Sequence, residues 1–406
     1  MKTISGGVTA AMGFQAAGVY AGIKKQKKDM ALVFSTVPSV AAGTFTTNVV
    51  KAAPVKWDIN LIKSGKKLQA VILNSGVANA CTGVVGEQDN ETMAKEMAKQ
   101  LGIEADTVLT ASTGVIGRNM PMNTIVAGTK LLKEALADTI EAGHLAAEAI
   151  MTTDTVSKEC AVSIELGGKT VTIGAMAKGS GMIHPNMATM LGVVTTDAAI
   201  SKELLQEALS ASVQKSFNMI SVDRDTSTND TYVVLANGLA GNEEITKKDA
   251  DFELFCEALN YVSTNLAKIM AADGEGASKL IEAKIYHAAT YEEAVILSKS
   301  IITSSLVKTA VFGNDANCGR FICAMGYSGV KFNPDTVDLY FESVEGKVKL
   351  IEDGVALEFS EELATKILSS KEVTVIADMK AGEESATAWG CDLTYDYVKI
   401  NADYRS

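Results

Sequence analysis

The sequence predicts a mixed α/β chain of the layered α+β kind, long enough for two lobes. Three observations predict it. Strand-like apolar runs alternate with helical stretches along all 406 residues, and 47% of them are hydrophobic, enough for a large core. Gly167-Gly168 separates two segments with period-two patterning, which is a hairpin signal and points to antiparallel pairing. The dinucleotide fingerprint, the P-loop and the GxSxG elbow that accompany doubly wound parallel sheets are all missing.

Taken in order, 31–35 and 69–74 read as short buried strands, and 91–101 has helical composition. A helical stretch over 122–150 is expected to break near 138–143. The hairpin runs over 160–166 and 169–177, with Val162, Ile164 and Leu166 alternating on one flank and Val171 and Ile173 on the other. An irregular, glycine-bearing segment from Lys178 then leads to Thr189 and the apolar run 190–194. Helices are predicted at 202–217, 247–272, 291–307 and 360–367, and strands at 280–286, 337–341 and 373–376. The chain has five prolines and no repeat or low-complexity tract, so no linker marks a domain boundary.

Composition removes several function classes. The net charge is −12, and the basic residues are scattered apart from a cluster at Lys24, Lys25, Lys27 and Lys28. A nucleic-acid binder needs a cationic face, so that class is disfavoured. The six cysteines form no CxxC pair and the three histidines stand far apart, so no metal site is expected and the thiols suit a cytoplasmic protein. Ser5, Gly6, Gly7 and Thr9 interrupt the only signal-like stretch, and no run reaches the roughly 18–20 apolar residues of a membrane span.

The chemistry centres on Thr189. A threonine at the head of an apolar run is ordinarily a β-branched strand residue. Here small Ala188 precedes it, and Gly179, Ser180 and Gly181 permit unusual backbone angles upstream. If Thr189 Oγ attacks its own preceding carbonyl, the ester formed hydrolyses and leaves a new N-terminus at Thr189. A free α-amine has a pKa of about 7.7–8.0 and can serve the hydroxyl on the same residue as a base. Such a site needs neither His nor Cys.

The run Lys178-Gly-Ser-Gly-Met-Ile-His-Pro-Asn-Met-Ala-Thr-Met-Leu-Gly192 resembles the self-cleavage signature of the ornithine acetyltransferases, also called glutamate N-acetyltransferases. Further matching segments follow the family order. They are Asn74-Ser-Gly with 78–83, Ser112-Thr-Gly-Val-Ile-Gly117, Met151-Thr-Thr-Asp-Thr155, Asp223-Arg-Asp-Thr-Ser-Thr-Asn-Asp230, Gly274-Glu-Gly276, and the tail from Ala388 through Arg405. The resemblance spans essentially the whole chain.

The resemblance implies a layered α/β sandwich of the self-cleaving N-terminal-nucleophile type with a smaller second lobe. It implies an α chain of 1–188 and a β chain of 189–406 sharing one core, with Ala188-Thr189 as the cleavage site and a heterotetramer of two α and two β chains. Thr189 matches the nucleophile, and Thr113 and Gly114 match the oxyanion pair. Thr152, Lys178, Glu275, Asn401 and Ser406 match substrate-contact positions, together with Thr189. The implied reaction carries acetyl from N-acetylornithine to glutamate, giving ornithine and N-acetylglutamate with no cofactor, in the cytoplasm. Open alternatives are a bifunctional enzyme that also takes acetyl-CoA as donor, an N-terminal-nucleophile aminopeptidase or amidase, and a non-catalytic binding protein. Three departures from the family pattern bear on substrate detail: Val77 where Asn is usual, Ala316 with Cys318 where Pro and Trp are usual, and Ser406 where Thr is common.

Overall fold

The computed structural model describes residues 1–184 and 190–402. The chain divides into two compact units: Met1–Asn218 with Asp225–Leu266, and Met219–Arg224 with the chain from Ala267 on.

In the first unit the elements are β1 (Lys2–Ile4), β2 (Phe14–Val19), β3 (Met30–Phe45), α1 (Ala53–Ser64), β4 (Leu68–Val77), α2 (Gly83–Leu101), β5 (Val108–Val115), α3 (Met122–Ala135), α4 (Ile140–Ala149), β6 (Lys158–Leu166), β7 (Lys169–Lys178), β8 (Leu191–Thr196) and α5 (Lys202–Lys215). The short β9 (Ile220–Ser221) belongs to the second unit, and β10 (Thr231–Ala236) and most of α6 (Ala250–Ala272) return to the first. The sheet order is β1-β6-β7-β8-β10-β3-β4-β5, with β2 also paired to β3. Pairing is antiparallel except at β8–β10 and β4–β5. Strand side chains alternate between faces. Ala31 and Val33 of β3 accordingly join one apolar cluster, with Val71, Leu109, Met176 and Val193. Met30 and Leu32 join another, with Ile72, Met93, Met97 and Ile125. Both faces of the sheet are covered, which makes this unit the expected layered sandwich. All six residues of β8 are buried, as a strand covered on both faces requires.

The second unit is smaller. It contains β9, β11 (Leu280–Ala288), α7 (Tyr291–Thr303), α8 (Ser305–Phe312), α9 (Cys318–Gly326), β12 (Asp338–Ser343), β13 (Gly346–Glu352), β14 (Val355–Ala356), α10 (Glu361–Leu368), β15 (Glu372–Asp378), β16 (Glu384–Cys391) and α11 (Tyr395–Ala402). Its sheet runs β14-β13-β12-β15-β11-β16-β9.

Local chemistry explains both the agreements and the corrections. The hairpin turn has φ of 54° at Gly167 and 76° at Gly168, the two positive values a tight two-residue turn needs. The helical stretch 122–150 does break, at 136–139, where the Thr139 hydroxyl accepts from Ala142 N at 3.1 Å and starts α4. The helix expected over 291–307 is two helices, because Ser304 leaves the helical conformation and its hydroxyl accepts from Val307 N to start α8. The helix expected from 247 begins at Ala250, behind an Asp249 carboxylate that accepts from Phe252 N. The strand expected over 31–35 extends to Phe45. Pro38 has no N–H to give, and it falls where the β3–β4 register shifts between Phe34 and Ser39.

Among the described residues, no single helix is long and apolar enough to cross a membrane. No cluster of His, Cys, Asp and Glu among them is arranged to hold a metal.

Candidate active site

Thr113 and Gly114 lie at the C-terminal end of β5, next to β4, with Gly114 opposite Gly76. Gly114 has φ of 130°, and a Cβ there would stand 2.3 Å from the Gly76 carbonyl carbon. Only glycine allows the two strand ends to approach this closely. Buried amides fix the pair. Asn74 accepts from the Ser112 hydroxyl at 2.6 Å and donates to Val77 O at 2.9 Å. Asn229 donates to Ala78 O and to Ser112 O at 2.8 Å. From α1, the buried Asp58 carboxylate accepts from Thr110 N at 2.8 Å and ties the helix to β5.

Lys178, the last residue of β7, brings the other predicted residues of this unit together. Its ammonium, itself largely buried, donates to the Thr152 hydroxyl at 2.9 Å and to the Thr113 hydroxyl at 3.3 Å. Thr152 sits just beyond α4. Behind them stands Asp154. Its Oδ1 accepts from Lys158 Nζ at 2.7 Å and from Gly179 N at 2.7 Å, and its Oδ2 accepts from Thr152 N at 3.0 Å. Lys178 Nζ is 4.0 Å from Oδ2. Burial alone would raise the Asp154 carboxyl, but the charges of Lys178 and Lys158 outweigh it and hold the group well below the usual carboxylate range. The result is a buried, ionised cluster that presents Lys178 next to the Thr113-Gly114 strand end.

Glu275 and Asn401 belong to the second unit, and they do meet. Asn401 Nδ2, on α11, donates to Glu275 Oε2 at 2.7 Å. The Thr394 hydroxyl donates to Gly276 O at 2.6 Å, and Asp392 accepts from Ser278 N and Lys279 N, so the tail is fastened to the loop that carries Glu275. Ala188, Thr189 and Ser406 lie outside the described residues.

Comparison with known proteins decides the family. Residues 15–406 match the ArgJ family. The chain belongs to it. An arginine biosynthesis bifunctional protein ArgJ from Caldanaerobacter subterraneus subsp. tengcongensis is 50% identical over 406 residues, covering the whole of both chains. One of the same name from Symbiobacterium thermophilum is 54% identical over 409 residues, again covering both completely. A crystal structure of an ornithine acetyltransferase complexed with ornithine, from Mycobacterium tuberculosis, is 46% identical, covers 45% of this chain and 96% of its own, and has a TM-score of 0.43.

In this ArgJ-family chain the sequence departures fall at distinguishable places. Val77 is buried at the β4 end, paired with Thr113 and Val115, and packs in the cluster of Ile72 and Met93. Ala316 and Cys318 lie between α8 and the first turn of α9, in the second unit. Sequence reasoning missed Asp154 and Lys158. Asp154 lies inside the quoted 151–155 segment, so a signal was present. Lys158 reads as a solvated lysine, and only the fold shows it fully buried. A cavity of about 880 Å³, lined by Tyr20, Lys27, Lys28, Leu131, Glu134 and Met151 among others, contains none of the predicted site residues.

Proposed function

We propose that this ArgJ-family chain moves an acetyl group from N-acetylornithine to glutamate in arginine biosynthesis, through an acetyl ester on Thr189. The observation that carries the reading is the Lys178 bridge. A buried ammonium within hydrogen-bond distance of the Thr113 and Thr152 hydroxyls can hold a substrate α-carboxylate beside an oxyanion pair. Identity of about half over the full length with ArgJ proteins supports the same assignment.

The chain first cleaves itself. Thr189 Oγ attacks the Ala188 carbonyl carbon, the peptide bond gives way to an ester, and water hydrolyses that ester to an Ala188 carboxylate and a free Thr189 amine. In turnover, Thr189 Oγ attacks the acetyl carbon of N-acetylornithine while the Thr189 amine takes the hydroxyl proton. The Thr113 hydroxyl and the Gly114 N–H receive the oxyanion. The C–N bond then breaks, the proton passes to the leaving amine of ornithine, and the acetyl ester remains. The glutamate amine attacks the acetyl carbon of this ester, the C–Oγ bond breaks, the amine's proton returns through the Thr189 amine to Oγ, and N-acetylglutamate leaves. The exchange as written uses no cofactor. The family resemblance also assigns substrate contacts to Glu275, Asn401 and Ser406. The α and β pieces stay associated as a heterotetramer in the cytoplasm.

The word "bifunctional" in the relatives' name favours a second reading with the same catalyst, in which acetyl-CoA also acylates Thr189. Labelled acetyl-CoA with purified protein separates the two: label in N-acetylglutamate establishes the second donor, and its absence removes it. The main reading is tested on a denaturing gel together with an exchange assay. Two pieces are expected, the second beginning at Thr189, with label passing from N-acetylornithine to glutamate faster than to water. Acetate as the dominant product would indicate an amidase instead. A cleaved, active Thr189→Ala protein would falsify the mechanism.

A further inference from the structure

The lysine cluster at 24–28 plays no part in the mechanism above, and Lys24 differs from its neighbours. Its ammonium is turned inward, donating to Met151 O at 2.9 Å, one residue before Thr152. Its backbone is fixed as firmly as its side chain. The fully buried Asp29 carboxylate accepts four consecutive backbone N–H groups, from Ala21, Gly22, Ile23 and Lys24, at 2.7–3.0 Å. The Asp29 carbonyl accepts from Ser75 N at 2.9 Å, and the Ser75 hydroxyl donates to Ala149 O at 2.6 Å. Ala149 is the last residue of α4 and Met151 lies just past its cap, where the helix dipole favours a cation. Beyond Ser75, Gly76 packs against Gly114, while its other side meets Ile23 and the Lys24 Cγ. Lys24 thus joins the two halves of the site: the β4–β5 ends that carry the oxyanion pair, and the turn that presents Thr152 to Lys178.

We propose that Lys24 is a positioning residue, which fixes the Met151-Thr152 turn against the Gly76-Gly114 strand ends and adds a second positive charge behind Lys178 for binding the substrate α-carboxylate. The proposal rests on the amino-acid substrates assigned above. The groups facing the Lys24 ammonium are Asp29, Lys27, Lys178 and Asp154. Burial outweighs the two carboxylates and lowers the Lys24 pKa to about 8, so the positive charge is present at neutral pH and fades in mildly alkaline solution.

The test uses acetylation of the cleaved enzyme by N-acetylornithine across neutral to alkaline pH, with Lys24→Met and Lys24→Arg beside the wild type. Loss of one charge-assisted contact is expected to raise KM roughly tenfold in Lys24→Met with kcat changed far less. In the wild type, kcat/KM is expected to rise as the Thr189 amine loses its proton and then to fall on the alkaline side as Lys24, with a pKa of about 8, loses its charge. Arginine stays charged, so Lys24→Arg should keep the neutral-pH KM and lose that alkaline fall. If Lys24→Met does not fold, the Lys24→Arg profile decides alone. A wild type without acetyl transfer would remove the underlying function. An active wild type whose alkaline fall persists unchanged in Lys24→Arg would overturn the role of Lys24 only.

Discussion

Asp154→Asn tests the buried ionic cluster most sharply. Asp154 and Lys158 have fully buried side chains 2.7 Å apart, and Lys178 approaches the other carboxylate oxygen. An amide at 154 removes the negative charge and leaves the Lys158 ammonium with neutral acceptors, of which Val156 O at 3.2 Å is one. Stripping one partner from a buried pair costs about 3–5 kcal/mol, because the remaining charge stays desolvated. For a unit of this size, each kcal/mol moves Tm by about 2–4 °C, so a fall of roughly 6–20 °C is expected. Scanning calorimetry of the purified protein reads it directly. The sign with pH is also fixed. The Asp154 pKa is depressed in the folded state, so its contribution is complete above the unfolded carboxyl value of about 3.9 and is lost as pH falls through the folded one. The gap between wild type and Asp154→Asn should therefore narrow only in acid. Lys158→Met added to Asp154→Asn should recover part of the loss. An Asp154→Asn protein within about 1 kcal/mol of the wild type at neutral pH would refute this electrostatic reading.

Two further predictions concern β5. Gly114→Ala places a methyl against the Gly76 backbone, so it should shift the oxyanion N–H and lower kcat by about 10²–10³-fold, seen in steady-state transfer with the protein still cleaved. Asp58→Asn should leave stability little changed in acid and raise it with increasing pH. Burial raises the Asp58 pKa, so the carboxyl's contribution is lost as pH rises through that value. Denaturant midpoints at several pH values measure this, and a midpoint difference that shrinks toward alkaline pH contradicts it.

What the sequence made legible follows physical locality. The Gly167-Gly168 hairpin needs only turn chemistry and alternation, and both are written in adjacent residues. The split at Ser304 was missed, although a serine able to cap a helix stood there, because the apolar pattern runs through it uninterrupted. β5 escaped prediction since Val108-Leu-Thr-Ala-Ser-Thr-Gly-Val115 alternates weakly, and its strand character comes from pairing with β4. At the site, Thr113, Gly114, Thr152 and Lys178 were reached through motif order, and three of their side chains or strand ends meet in the fold. Lys158 and Lys24 were not, because nothing local distinguishes a lysine buried against a carboxylate or a carbonyl from one in water. The packing of α4 and the Asp29-bound loop makes that distinction.

The central claim is that an acetyl group travels on Thr189. The most direct measurement is the mass of the two fragments after rapid mixing with N-acetylornithine and acid quench. The account predicts one acetyl group on the fragment that begins at Thr189, discharged when glutamate is added. Transfer at full rate with the acetyl group on neither fragment, or on an uncut chain, would contradict it.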